Sequence, residues 1–409
     1  MNDETKIAKN LLFGLLAFVV ALLVALLYYT NIKASLAIFW LFGLGYGIVI
    51  QRSKFCFASA FRDLFLFKRG ELMKAIIVGL IIATIGFSII MFATVGLEKS
   101  IDLIKDGLPA HAKVNPVGLQ TLIAGIIFGF GMVLSGGCAT GTLWRAGEGY
   151  TVQWVAIIGF VLGTIPLAAI WGTIYEGYIS HLPRIWFPDV FGWPGAILLT
   201  LFMLGLIYLL VSWWESKADF RFSGAIEQKS KNPKKLIPIL KEKYRGIFYQ
   251  PWPYLIGGLL LGTLNVFEYV FSKPWGITTA ISRWGGWLLV RTGLMDQSNL
   301  WAYYTQYKLL DNPPLTSGST LLKLGLIFGA FATAILAGEF KVRVPAKKIR
   351  FVQGFVGGFL MGFGARLGMG CNIGAFFTAV PSLALAAWIF APGLAIGAWL
   401  GVKALKKLA

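Results

Sequence analysis

Three thiols, Cys56, Cys138 and Cys371, carry the most distinctive chemistry in this chain of 409 residues, and two of them sit in copies of one pattern. Gly129-Phe-Gly131 with Leu134, Gly137, Cys138 and Gly141 recurs 233 residues later as Gly362-Phe-Gly364 with Leu367, Gly370, Cys371 and Gly374. Gly125 and Gly358 hold the same offset, and Gly159-xxx-Gly163 returns as Gly393-xxx-Gly397 after a one-residue insertion. A buried thiol that keeps its proton donates a weak hydrogen bond, whereas one beside arginine at a helix N-terminus tends toward thiolate. The sequence admits both states. Three cysteines in 409 residues exclude a disulfide scaffold, and the odd count leaves at least one thiol unpaired. The only histidines, His111 and His181, fall in expected outer loops far from any Cys-x-x-Cys spacing, so no metal site and no cofactor is expected. Asp63 and Glu148 are the only acidic residues near the cysteine motifs, and no histidine is placed to activate a nucleophile, so catalytic residues are not expected either.

The elements that must position these thiols are membrane spans. Uncharged runs cover 10–32, 34–50, 75–97, 114–144, 149–175, 190–214, 246–267 and 367–402, and shorter apolar stretches cover 324–338 and 351–365. A hydrocarbon core of about 30 Å then gives about ten crossings of an all-α polytopic protein. Met1 to Asn10 leads into an apolar run with no small-residue cleavage pattern, so the first span is expected to stay in the mature protein. Nine basic residues in 215–250 and five in 341–350 mark cytoplasmic loops, and 98–113 and 176–189 are short of net positive charge. Both termini are then cytoplasmic. The net charge of +19 is a topology signal of this kind and not a nucleic-acid footprint, since no binding module accompanies it.

With this orientation the two Gly-Cys segments cross in opposite directions, as inverted-topology repeats. Glycine breaks at matching points predict interrupted helices facing one another, with NH groups exposed to an anion where each helix restarts. The competing role for glycine is close helix packing, expected for Gly43-xxx-Gly47, Gly258-xxx-Gly262 and Gly325-xxx-Gly329. The domains expected are a peripheral span at 1–33, a first repeat at 34–175 with Cys56 and Cys138, a connecting span and basic loop at 176–250, and a second repeat at 251–409 with Cys371.

Cys56 lies in "QRSKFCFASAFRDLF", where 55–67 is too short to cross and reads as a re-entrant or interfacial helix. Its counterpart is "SKPWGITTAISRWGGWL" from Ser272, with Trp275-Gly276 in place of the cysteine region. Cys56 is expected nearer the cytoplasm, with the repeat cysteines deeper. Arg62, Arg145 and Arg366 are close in sequence to the three thiols, as pathway residues or as span-end anchors. Ser135, Thr140 and Thr142 offer hydroxyls to an anion or to carbonyls one turn back. Asn372 beside Cys371 is costlier to bury without a partner and ranks above the threonines.

The segments "FCFASAFRD", "SGGCATGTLWRAGEG" and "GFGARLGMGCNIGAFFTA" resemble the signature segments of the YeeE/YedE family of bacterial inner-membrane proteins, over residues 42–401. The resemblance implies an inverted-repeat helical bundle that takes up thiosulfate, with three cysteines along a central path; Cys56, Cys138 and Cys371 would be those cysteines. The glycine breaks, hydroxyls, amide and arginines beside these cysteines add Gly137, Gly370, Thr140, Asn372, Arg145 and Arg366 to the expected substrate path. The partners it suggests are a thiosulfate-like or selenium-containing anion, membrane lipids and a small cytoplasmic sulfur-carrier (TusA-like) protein. Two alternatives stay open beside uptake of a sulfur-containing anion: transport of a selenium compound, and a covalent thiol relay of sulfur or selenium to a cytoplasmic carrier.

Overall fold

A computed structural model of the protein describes residues 3–95, 112–217 and 245–408, so His111 and most of the two loops at 98–113 and 215–250 lie outside the described residues. The protein is all-α. Long apolar runs form α1 (Asp3–Asn31), α2 (Ala34–Ser53), α4 (Glu71–Val95), α7 (Thr151–Ala169) and α9 (Phe187–Ser216). Between them lie the short α3 (Phe57–Phe67), α5 (Leu119–Leu134), α6 (Ala139–Gly147) and α8 (Trp171–Gly177). The second half contains α10 (Tyr254–Phe271), α11 (Thr278–Arg291), α12 (Ala302–Gln306), α13 (Gly318–Leu336), α14 (Ile349–Leu367), a π-helical turn Asn372–Phe377 and α15 (Leu385–Leu408).

Among the described residues nine helical segments are long and apolar enough to cross a membrane, with α2 running into α3 and α5 into α6. The further span expected at 351–365 forms as α14, a helix of 19 residues that carries Arg350 and Arg366 and packs against α5 and α7. Two other span ends move. The run expected to stop at 267 continues through Glu268 in α10, and the run expected to start at 324 begins before Lys323 in α13, because both side chains are buried inside the bundle.

Backbone contact at glycine joins the halves. A Cβ at Gly43 or Gly47 would collide with the Leu322 or Leu326 carbonyl of α13, and one at Gly258 would collide with the Ala75 carbonyl of α4. The repeated glycines do the same: Gly159 and Gly163 of α7 meet the Phe355 and Phe359 carbonyls of α14, and Gly129 of α5 meets the Leu394 carbonyl of α15. Most of the repeated glycine pattern therefore serves close helix approach.

The helices that carry the two motif copies run antiparallel. Gly131 of α5 faces Gly357 and Met361 of α14, and Gly364 faces Ala124 and Phe128. Likewise Gly257 near the start of α10 meets Ser53 at the end of α2, while Leu264 lies beside Gly45. Antiparallel pairing puts the breaks at 135–138 and 368–371 at opposite ends of the α5–α14 pair, so they do not face one another; the segments that follow them, α6 and 372–377, pack together. α1 runs opposite to α13, with Gly14 against Leu336 and the Tyr28 hydroxyl donating to the Leu315 carbonyl at 3.0 Å. α15 runs alongside α5 from Gly125–Gly393 to Val133–Gly401. The start of α1, the end of α15 and the basic segment 337–350 accordingly share one face.

Candidate functional site

Two helix N-termini bring two thiols together. Cys56 N-caps α3 and Cys138 N-caps α6, both in extended backbone, and their Sγ atoms are 3.9 Å apart although 82 residues separate them. Both are free thiols with at most 1% of their surface exposed. That spacing suits a weak S–H···S hydrogen bond and is about twice a disulfide length. The backbone NH of Gly141 donates to Cys138 Sγ at 3.3 Å. Gly141 is required for this approach, since a Cβ there would stand 2.8 Å from Cys56 Sγ. Cys56 thus does not stand apart from the repeat cysteines; it is Cys371 that has no thiol beside it.

The break before Cys138 turns on Gly136, whose φ of +74° lies in the left-handed region that glycine enters without steric cost. Ser135 closes the turn by donating to the Gly137 carbonyl at 2.8 Å. Gly137 itself is held by crowding, because a Cβ would lie 2.8 Å from Gln153 Oε1. Arg145 donates to the Gly136 carbonyl and, at 3.2 Å, to Ser59 Oγ, so it braces the break against α3. Thr142 is spent on the Ala139 carbonyl at 2.9 Å, whereas the buried Thr140 hydroxyl has no partner among the described residues. Arg62 pairs with the adjacent Asp63 at 2.8 Å and belongs to the surface.

The second copy is built differently. Met369 takes the left-handed position with φ 53°, an uncommon conformation for a side-chain-bearing residue, and Gly370 is crowded by the Ala375 amide at 2.7 Å from a notional Cβ. Cys371 is fully buried, and the backbone NH groups of Ile373, Gly374 and Ile277 approach its thiol. Ile277 N-caps α11 as Cys56 N-caps α3, so the second half offers an alkyl group where the first offers a thiol. Asn372 is fully buried, and both its amide atoms have no partner among the described residues. At Gly374 a Cβ would meet nothing within 4 Å among the described residues, unlike its counterpart Gly141. Arg366, 5% exposed, lies over the Tyr303 ring at 5.0 Å, and its Nε has no partner among the described residues.

Cations gather around Cys371. Lys113, Lys323 and Arg366 all lie close enough to interact electrostatically with its thiol. Burial, together with the charges of Arg366 and Lys273, brings Lys113 down to about 8. Sequence reasoning missed Lys113, Lys323 and Glu268. The available signal was a charged residue at the edge of an apolar run, which is also what an ordinary span end looks like.

An aromatic chain links the two thiol sites. Phe57 meets Phe377 edge-on at 5.6 Å, Phe377 meets Trp275 at 6.3 Å, and Trp275 stacks on Tyr46 at 4.0 Å and 7°. On the basic face a cavity of about 710 Å³ opens beside the Cys138 break, lined by Ser135, Gly136, Arg145, Gln153, Arg343 and Arg350 among others. At its wall Lys54 Nζ lies 2.5 Å from both Glu148 and Glu339, and Gln51 donates to the same two carboxylates at 3.1 and 2.7 Å. This network ties the ends of α2, α6 and α13 together.

Buried thiols, unpartnered polar groups and cations inside a bundle of apolar helices define a multi-pass membrane protein with a polar interior. Residues 52–400 match the Sulphur transport family, and the chain belongs to it, the family that the signature segments resemble. It is 31% identical over 383 residues to the thiosulfate transporter TsuA of Spirochaeta thermophila, covering 88% of this chain and 96% of that protein. The TsuA of Escherichia coli is 26% identical over 86% of this chain and 90% of its own length. A probable transporter YedE of Salmonella typhimurium is 40% identical over 156 residues, 38% of each chain.

Proposed function

We propose that this protein is a bacterial inner-membrane transporter that takes up a sulfur-containing anion of the thiosulfate type along a path past Cys371 and then the Cys138–Cys56 pair. The observation that carries this reading is the pair of unlike thiol sites: a cation-rich one at Cys371 with an unpartnered Asn372, and a paired one beside the basic-face cavity. The oxygens of such an anion suit the Asn372 amide, the Arg366 guanidinium and the Thr140 hydroxyl, while its soft terminal sulfur suits polarizable thiols. Two relatives named as thiosulfate transporters support the substrate. The basic segment 337–350, the start of α1 and the end of α15 would face the cytoplasm by the positive-inside rule. The two repeats would be 34–175 and 251–409, flanked by a peripheral span at 1–33 and the connecting region 176–250. A TusA-like carrier would meet the basic face.

The test is uptake of labelled thiosulfate into vesicles reconstituted with the purified protein, with unlabelled selenite and sulfate as competitors. Saturable thiosulfate entry that sulfate competes with poorly is expected, since sulfate lacks the soft sulfur. Dominance of selenite would favour the selenium-compound alternative, and absence of both would defeat the transport reading.

Lys113 adds a pH dependence to substrate binding. Its charge is present below about 8 and is lost as pH rises through that value. Half-saturation for thiosulfate exchange at equal pH on both sides should therefore rise above pH about 8, and Lys113→Gln should bind more weakly at pH 7 and lose this step. An unchanged profile in the variant would remove Lys113 from the binding site.

A further inference from the structure

Glu268 is buried in α10, 3% exposed, with its Oε2 accepting a hydrogen bond from the Tyr46 hydroxyl of α2 at 2.8 Å. Among the described residues it makes no direct ion pair. Lys323, 2% exposed on α13, interacts electrostatically with both Glu268 and Cys371. Both residues sit within helices long and apolar enough to cross a membrane. An ionisable pair at such a place is costly to keep, and where it occurs it usually marks an ion or proton pathway. The mechanism above leaves Glu268 and Tyr46 without a task.

We propose that Glu268, with Tyr46 and Lys323, forms a proton-binding site that couples anion entry to inward proton movement; the proposal rests on the anion-uptake reading. A doubly charged anion entering a cell that is negative inside moves against the membrane potential, and one proton carried in with it halves the net charge that must do so. With no anion present, Lys323 favours the ionised carboxylate. An anion at Cys371 draws on the charge of Lys323, so its field at Glu268 weakens and the carboxylate takes up a proton from the outer side, forming an O–H bond. Release of the anion toward the basic face restores the field, the O–H bond breaks, and the proton leaves to water on the inner side. By linkage, the anion raises proton affinity and the proton raises anion affinity by the same factor.

The groups that face Glu268 are consistent with this role. α2 presents Tyr46, α13 presents Lys323, and the linker after α10 carries Lys273, exposed at the edge of the cluster. α11 contributes Arg283, which interacts with both lysines but is itself bonded to the Leu309 carbonyl at 2.6 Å. α4 meets α10 through Gly79 and through Phe87, which packs on Tyr269 at 4.4 Å. Glu268 is the buried carboxylate of this group, and Asp311 interacts with Arg283.

Vesicles containing the wild-type protein and a pH dye test the coupling directly. With the outside one pH unit more acid, thiosulfate accumulation should rise by about tenfold over equal pH, as one coupled proton requires, and thiosulfate should trigger internal acidification. Glu268→Gln should lose the response to the gradient while exchange of labelled for unlabelled thiosulfate at equal pH continues. If that variant also loses exchange, Glu268→Asp decides: a displaced pH dependence of uptake supports the site, and a wild-type profile overturns it. Wild-type exchange with no effect of the pH gradient, or accumulation driven by a sodium gradient alone, would overturn the coupling and leave the substrate reading standing. Absence of wild-type exchange would overturn both.

Discussion

Cys138→Ala should abolish most thiosulfate uptake at normal expression. Cys138 Sγ is the acceptor for the Gly141 amide and the neighbour of Cys56, so its removal takes away a donor to the anion and the partner of the second thiol. A lost hydrogen bond to a charged group costs about 1.5–3 kcal/mol, which is roughly 10- to 100-fold in rate if it is made at the limiting step. Cys138→Ser keeps a donor, though its shorter C–O bond lengthens the contact to Cys56, and partial uptake is expected. Retention in the serine variant separates hydrogen bonding from a covalent relay, because a persulfide needs sulfur. Wild-type rates in Cys138→Ala would sink the thiol path. Cys56→Ala should lose uptake comparably, since the two thiols act as one site; the double alanine variant should then be little worse than either single one.

Asn372→Leu should stop uptake and yet leave the protein as stable or more so. Both amide atoms are buried without a partner among the described residues, and each such group destabilises the fold by about 1–3 kcal/mol relative to a bonded one. Leucine of similar volume removes that penalty in an apolar surround. A residue retained for packing would behave in the opposite way, with lost stability and preserved transport. Thermal unfolding in detergent and uptake at matched expression, measured on the same preparation, distinguish the two cases. Lowered stability with unchanged uptake would place Asn372 in the structural framework and not in the path.

Much of the architecture was legible in the sequence because membrane burial imposes a local signature. A run such as 10–32 or 190–214 must be helical and apolar whatever it packs against, and α1 and α9 form there. The Gly-Cys repeat sets α5 beside α14 as similar segments of sequence, and the basic residues at 341–350 cluster at one end of the helices they connect. Glycine was harder to read. The same residue type that turns the chain at Gly136 also lets α7 lie against α14 at Gly163, and only the neighbours on another helix separate the two uses.

The sequence by itself determined an all-α membrane protein with three thiols far apart along the chain, two of them in repeated motifs, because composition and spacing can be read along the chain without knowing what packs against what. Tertiary structure decided which thiols are neighbours. Cys56 and Cys138 meet because α3 and α6 both begin beside Gly141, while Cys371 faces Ile277 at the equivalent position of the other half. It also turned Glu268 and Lys323 from apparent span ends into buried groups, since an antiparallel pairing of α2 with α10 carries Tyr46 to Glu268 across 222 residues of chain. Proximity of this kind depends on which helix faces are closed against one another, and no one segment encodes that.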